Sequence, residues 1–125
     1  MNEGCIYIIE DEPNICKIGI SKYVDKRVIQ LSCKHHKEFI IRGCCDSLRA
    51  REEESLIHDF FNNYRIKGEW FRLAYEEIKL KSKEIKIYFD DYDKYIKIKE
   101  YVNKAKYHWN EDYEIWVTKV EAGYG

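Results

Sequence analysis

A chain of 125 residues with 36% charged side chains, 15% aromatics and one proline can bury a real core as one compact domain, which excludes a disordered or low-complexity segment. No run approaches the roughly 18–20 apolar residues of a membrane span, and the N-terminus lacks a basic segment followed by an apolar core, so no membrane partner is expected and a cytoplasmic, intracellular protein is. The formal net charge is −1, yet between residues 17 and 51 nine basic residues stand against three acids, a local +6. Such a strip attracts a polyanion over a Debye length of about 8 Å, unless it is simply a solvated lysine-rich face.

In chain order, residues 5–9 (Cys-Ile-Tyr-Ile-Ile) are β-branched and aromatic and predict a strand. Residues 10–14 are polar and hold the proline, which cannot donate to a sheet ladder, so the chain turns there. Residues 15–20 then predict a second strand, paired back on the first as a hairpin. Ser21 is a helix cap for a helix carrying Val24, Val28 and Leu31 on one face, with Arg27 at its edge, ending near His35 or His36. A third strand is expected over 38–44, with Gly43 as a bulge or strand end. Asp46 or Ser47 would cap a long helix running to Tyr64, its apolar stripe formed by Ala50, Ile57, Phe60, Phe61 and Tyr64. Glu54 sits at the margin of that stripe, one turn before His58. A carboxylate so placed needs a cation, an arginine partner or a metal, because burying it unpaired is expensive.

Residues 65–68 are expected to be a turn, and Trp70 and Phe71 to be packing anchors rather than ligand contacts. A helix over 75–82 is followed by an expected strand over 85–89, a helix over 92–106 and a strand over 113–120, a balanced stretch of ten basic and eleven acidic residues from Ala74 onward. The five cysteines are odd in number and irregularly spaced, which predicts reduced thiols, and Cys33, His35, His36, Cys44 and Cys45 match no common zinc spacing. The fold expected is α+β: a small three-stranded antiparallel sheet flanked by helices in residues 1–73, then a βαβ accessory element in residues 74–125. No tandem aromatics suit base stacking, so sequence reading by the first part is not expected.

Taken together, these motifs resemble the GIY-YIG endonuclease superfamily. Cys5-Ile6-Tyr7, nine residues, then Lys17-Ile18-Gly19 is similar to its two-part signature, with Cys5 at the first glycine and Lys17 at the second tyrosine. Arg27 falls at the family's arginine and Glu54 at its metal-binding glutamate. The Lys-Ile-Gly form, the Glu54-to-His58 step and Gly68-Glu69-Trp70-Phe71 look like the branch common in phages and large DNA viruses, which would work inside a host cell. Glu69 lies where many members carry an asparagine.

The resemblance implies a metal-dependent DNA endonuclease. Tyr7 would be the general base for a water attacking a phosphodiester, its pKa lowered by Lys17, and Arg27 would bind the scissile phosphate. Glu54 would hold one Mg²⁺ or Mn²⁺, with His58 orienting Glu54 or touching the phosphate. Lys17, Lys22, Lys26, Arg27 and Lys34 would contact DNA. Two other readings stay open: a catalytically inactive nucleic-acid-binding module of the same fold, and a scaffold whose hairpin and helices only pack.

Overall fold

The structure is a computed structural model and describes residues 4–95, 107–110 and 115–118. The elements run β1 (Gly4–Glu12), β2 (Ile15–Ser21), α1 (Val24–His35), β3 (Ile40–Ser47), α2 (Ala50–Phe60), β4 (Arg65–Lys67), β5 (Trp70–Phe71), α3 (Tyr75–Ser82), β6 (Asp90–Tyr95), β7 (Tyr107–Asn110) and β8 (Ile115–Thr118). Six of the strands form one antiparallel sheet in the order β4-β5-β2-β1-β3-β6, and β7 and β8 form a separate antiparallel pair.

The expected three-stranded sheet is therefore a correction: its β2-β1-β3 centre is extended by β5 and β4 on one side and β6 on the other. The class remains α+β. Residues 65–67, read as a turn, pair with β5, which itself pairs with β2 through Lys17↔Trp70 and Cys16↔Phe71. On the far side, residues 92–95 are strand rather than helix, because the open edge of β3 offers ladder partners from Ile40↔Tyr95 to Cys44↔Asp90. The remainder of the expected helix over 92–106 lies outside the described residues. The expected strand over 85–89 is also displaced. A 3-10 turn covers Lys83–Ile85, Lys86 is left-handed, and Ile87 and Phe89 are buried before pairing starts at Asp90. The βαβ element is not formed as expected, since β6 joins the main sheet and β8 pairs antiparallel with β7.

Residues 5–9 are all buried because β1 is central and covered on both faces. Ile6 and Ile8 pack with Cys16, Ile18, Ile57, Phe61, Phe71 and Ile78, on the face taken by α2 and α3. Tyr7 and Ile9 pack with Val28, Leu31, Phe39 and Ile41, on the face taken by α1. Each such side chain removed from water contributes roughly 1.5–3 kcal/mol, which is why the α1 stripe read from the sequence holds its helix in place.

Both functional helices start later than the sequence suggests. The Ser21 hydroxyl accepts from the Tyr23 amide at 3.0 Å, and the Ser47 hydroxyl from the Arg49 amide at 2.9 Å. Each serine thus closes a tight turn ahead of its helix instead of capping the first turn, since the residues at the helix starts, Tyr23 and Arg49, make no side-chain cap. The third strand continues to Ser47 because Cys45, Asp46 and Ser47 pair with Ile6, Cys5 and Gly4.

Candidate functional site

The hairpin register fixes the centre of the site. Tyr7 on β1 lies opposite Gly19 on β2, and its ring lies against that backbone: a Cβ at Gly19 would stand 2.6 Å from the Tyr7 hydroxyl oxygen. Glycine is required there by the close approach of the ring. The ring is buried, and Arg27, exposed on α1, is near enough to its hydroxyl to act on it. Burial pushes the Tyr7 phenol up to about 12, the carboxylates of Glu69 and Glu54 add to the rise, and Arg27 opposes it. The cation that eases ionisation of Tyr7 is thus Arg27.

Lys17 is engaged elsewhere. It is buried on β2, and its Nζ lies 2.6 Å from Glu69 Oε1 and 5.9 Å from the centre of the Trp70 ring. Glu69 is brought to it by the β2–β5 pairing: Lys17 faces Trp70, and the Ile18 amide donates to the Glu69 carbonyl at 3.0 Å. Glu69 is the site residue that sequence reasoning passed over as a ligand. Its signal was its place just before Trp70-Phe71, a pair hydrophobic enough to dock on β2 and carry the preceding carboxylate inward.

Glu54 arrives from the opposite helix. Its side chain is 13% exposed, and its Oε2 is buried without a hydrogen-bond partner. Burial raises its carboxyl to about 7, the neighbouring Glu69 carboxylate adds to that, and Lys17 and Arg51 act against it. One donor atom from each of Glu54, Glu69 and His58 falls within 4.8 Å of the others. His58 Nε2 is 2.9 Å from the Ile18 carbonyl and 4.0 Å from Glu54 Oε2, and its ring packs on Phe71 at 5.3 Å. A carbonyl only accepts, so Nε2 carries a proton and offers no lone pair while that bond is made. His58 therefore anchors α2 to β2, and two carboxylates remain as the donor set. Their hard oxygens, one of them buried and unpartnered, fit Mg²⁺ or Mn²⁺.

Tyr7, Arg27, Lys17, Glu54, Glu69 and His58 thus converge at the hairpin. The other basic residues named from sequence are exposed. Lys22 and Lys26 line a cavity at the start of α1, and Lys34 stands two turns beyond Arg27 along the same helix stripe. Of the remaining strip, Lys37 is paired with Asp11 at 2.9 Å, Arg42 with Glu76 at 3.0 Å and Glu10 at 3.5 Å, and Arg49 with Glu52. Among the described residues no helix is long and apolar enough to cross a membrane.

Compared with curated proteins and with solved structures, the chain has no match. The T5orf172 domain model matches residues 4–86, which takes in the hairpin, α1, α2, α3 and every residue of the convergence just described. With more than half its length inside that match, the chain belongs to the T5orf172 domain family.

Proposed function

We propose that the protein is a metal-dependent DNA endonuclease of GIY-YIG type that hydrolyses phosphodiester bonds. The observation that carries it is the buried, unpartnered Glu54 Oε2 beside Glu69, on the site that also holds Tyr7 and Arg27. An unpaired carboxylate oxygen in the interior is destabilising, and its presence is understood if the site is built for a cation. Membership of a phage-associated family related to nuclease-like folds supports the same proposal.

A Mg²⁺ or Mn²⁺ ion held by Glu54 and Glu69 would supply Lewis-acid charge at the phosphate. Arg27 binds that phosphate through its exposed guanidinium and offsets the charge that grows in the transition state. Tyr7 takes the proton of the attacking water as the phenolate, after its own phenol proton has passed to solvent. An ion held by Glu54 and Glu69 would offset two of the influences that raise Tyr7, and Arg27 opposes the rise in its own right. Gly19 lets the phenol reach this position, and Lys17 holds Glu69 toward Glu54.

One observation favours the alternative, a catalytically inactive DNA-binding module: Lys17 already provides a cation to Glu69. Plasmid cleavage separates the two. With Mg²⁺ or Mn²⁺ the parent protein is expected to nick or linearise DNA, and EDTA to stop it. DNA that is bound but left uncut with both metals promotes the binding module.

A further inference from the structure

We propose that the cavity beside the Tyr7–Arg27 pair receives an unstacked nucleobase bearing an exocyclic amine, drawn from DNA held at that pair. This rests on the phosphodiester site proposed above. The cavity has a volume of about 650 Å³, within the roughly 300–1,000 Å³ of small-molecule sites.

Its position ties it to the site. Cys5 and Cys44 line it, and in the β1–β3 register Cys44 is the partner of Tyr7, while Cys5 is two residues before Tyr7 on the same side of β1. Another wall is the start of α1, where the Tyr23 carbonyl accepts the Arg27 amide at 2.9 Å. A strand whose phosphate meets Arg27 therefore places a neighbouring nucleoside over the cavity.

Its chemistry selects a base over a phosphate. Tyr23 is 71% exposed, an aromatic face that buries nothing in the core and lies one turn before Arg27. Tyr92, a second aromatic wall, donates its hydroxyl to Asp25 at 2.9 Å, which links β6 to α1 across the cavity. Asp46 and Asp90 line the same space, and carboxylates repel a phosphate but accept from the amines of adenine, cytosine or guanine. Thymine has no such amine. Lys22 and Lys26 are placed to meet the adjoining phosphates. A base already unpaired enters most readily, because it need not be pulled from a partner.

The test is fluorescence anisotropy in EDTA, with a fully paired duplex and the same duplex carrying one bulged adenine or one bulged thymine. The parent protein is expected to bind the adenine bulge about 5- to 150-fold more tightly than the paired duplex, the range of one base stacked on an aromatic. The thymine bulge, equally flexible but lacking the amine, should gain less. In Tyr23→Ala the adenine-bulged and paired duplexes should be bound alike, and Tyr23→Phe should keep the preference. Equal binding of adenine-bulged and paired duplexes by the parent, an equal gain for thymine, or a preference that survives Tyr23→Ala overturns the inference. In those cases metal-dependent cleavage of the paired duplex, lost in Arg27→Ala, leaves the proposed function standing. Failure to bind any of the three duplexes overturns the inference, and together with uncut plasmid in Mg²⁺ and Mn²⁺ it overturns both.

Discussion

Helices α1 and α2 are entered through the same serine-closed turn and carry charge to the same hairpin, but in opposite ways. On α1 the charges Lys26, Arg27 and Lys34 are exposed, where ionised groups stay solvated at little energetic expense. On α2 a carboxylate is turned inward, with one oxygen buried and unpartnered. The contrast teaches that exposed cations can be explained by binding or by solubility alone, whereas an inward charge that weakens the fold asks for a function.

The comparison breaks most sharply at Glu54. Glu54→Gln keeps the shape but removes the charge, and cleavage should fall by about a hundredfold or more, while DNA affinity holds or improves. Unchanged cleavage in a plasmid assay would remove Glu54 from the mechanism.

The same residue should limit stability in EDTA. Its folded pKa of about 7 lies above the ordinary value of 4.5, so the protonated form is favoured by folding. That stabilisation is complete below pH 4.5 and is lost as pH rises through 7, a fall of order 3 kcal/mol at about 1.4 kcal/mol per pH unit. Thermal melts should therefore show the parent losing more stability than Glu54→Gln between pH 4.5 and 8, and parallel melts would refute the burial argument.

A smaller effect is expected from Gly19→Ala. The added methyl collides with the Tyr7 ring, and overpacking of this kind costs about 1–3 kcal/mol. Urea titration should show a lower midpoint, and cleavage should drop further than the folded fraction does because Tyr7 is displaced.

On α1 the expected effects are the mildest. Lys22, Lys26, Arg27 and Lys34 together predict a slope of about −3.6 in log K against log salt for duplex DNA, and Lys26→Ala or Lys34→Ala should each reduce its magnitude by about 1. A slope unchanged in both variants would return those lysines to a solvated face.

How much of this was legible follows from the length of each signal. The hairpin and α1 each carry several apolar residues at one period, so their place and partners could be read. Strand β5 is two residues long and β4 three, too short for any alternation to show. Strand β6 begins Asp-Asp-Tyr, without a β-branched residue, and the spacing of Tyr95 with Ile98, Val102 and Ala105 suggested a helix. What decided it was the unpaired edge of β3, which no local pattern reveals. Tyr7, Arg27 and Glu54 were nameable because the resemblance supplied their order. Glu69 as a second carboxylate and Tyr92 as a wall of the cavity at the start of α1 depend on strands that were not foreseen.

The Lys17–Glu69 contact at 2.6 Å has a bearing on how the site answers to its surroundings. An ammonium already rests on one of the two carboxylates, so the protein assembles without waiting for an ion. A divalent cation bound there as proposed would compete with an internal one, and its apparent affinity would be reduced by the fraction of molecules in which the lysine holds on. If the pair takes magnesium as proposed, its binding curve would be displaced to higher free magnesium by the tethered amine without changing shape.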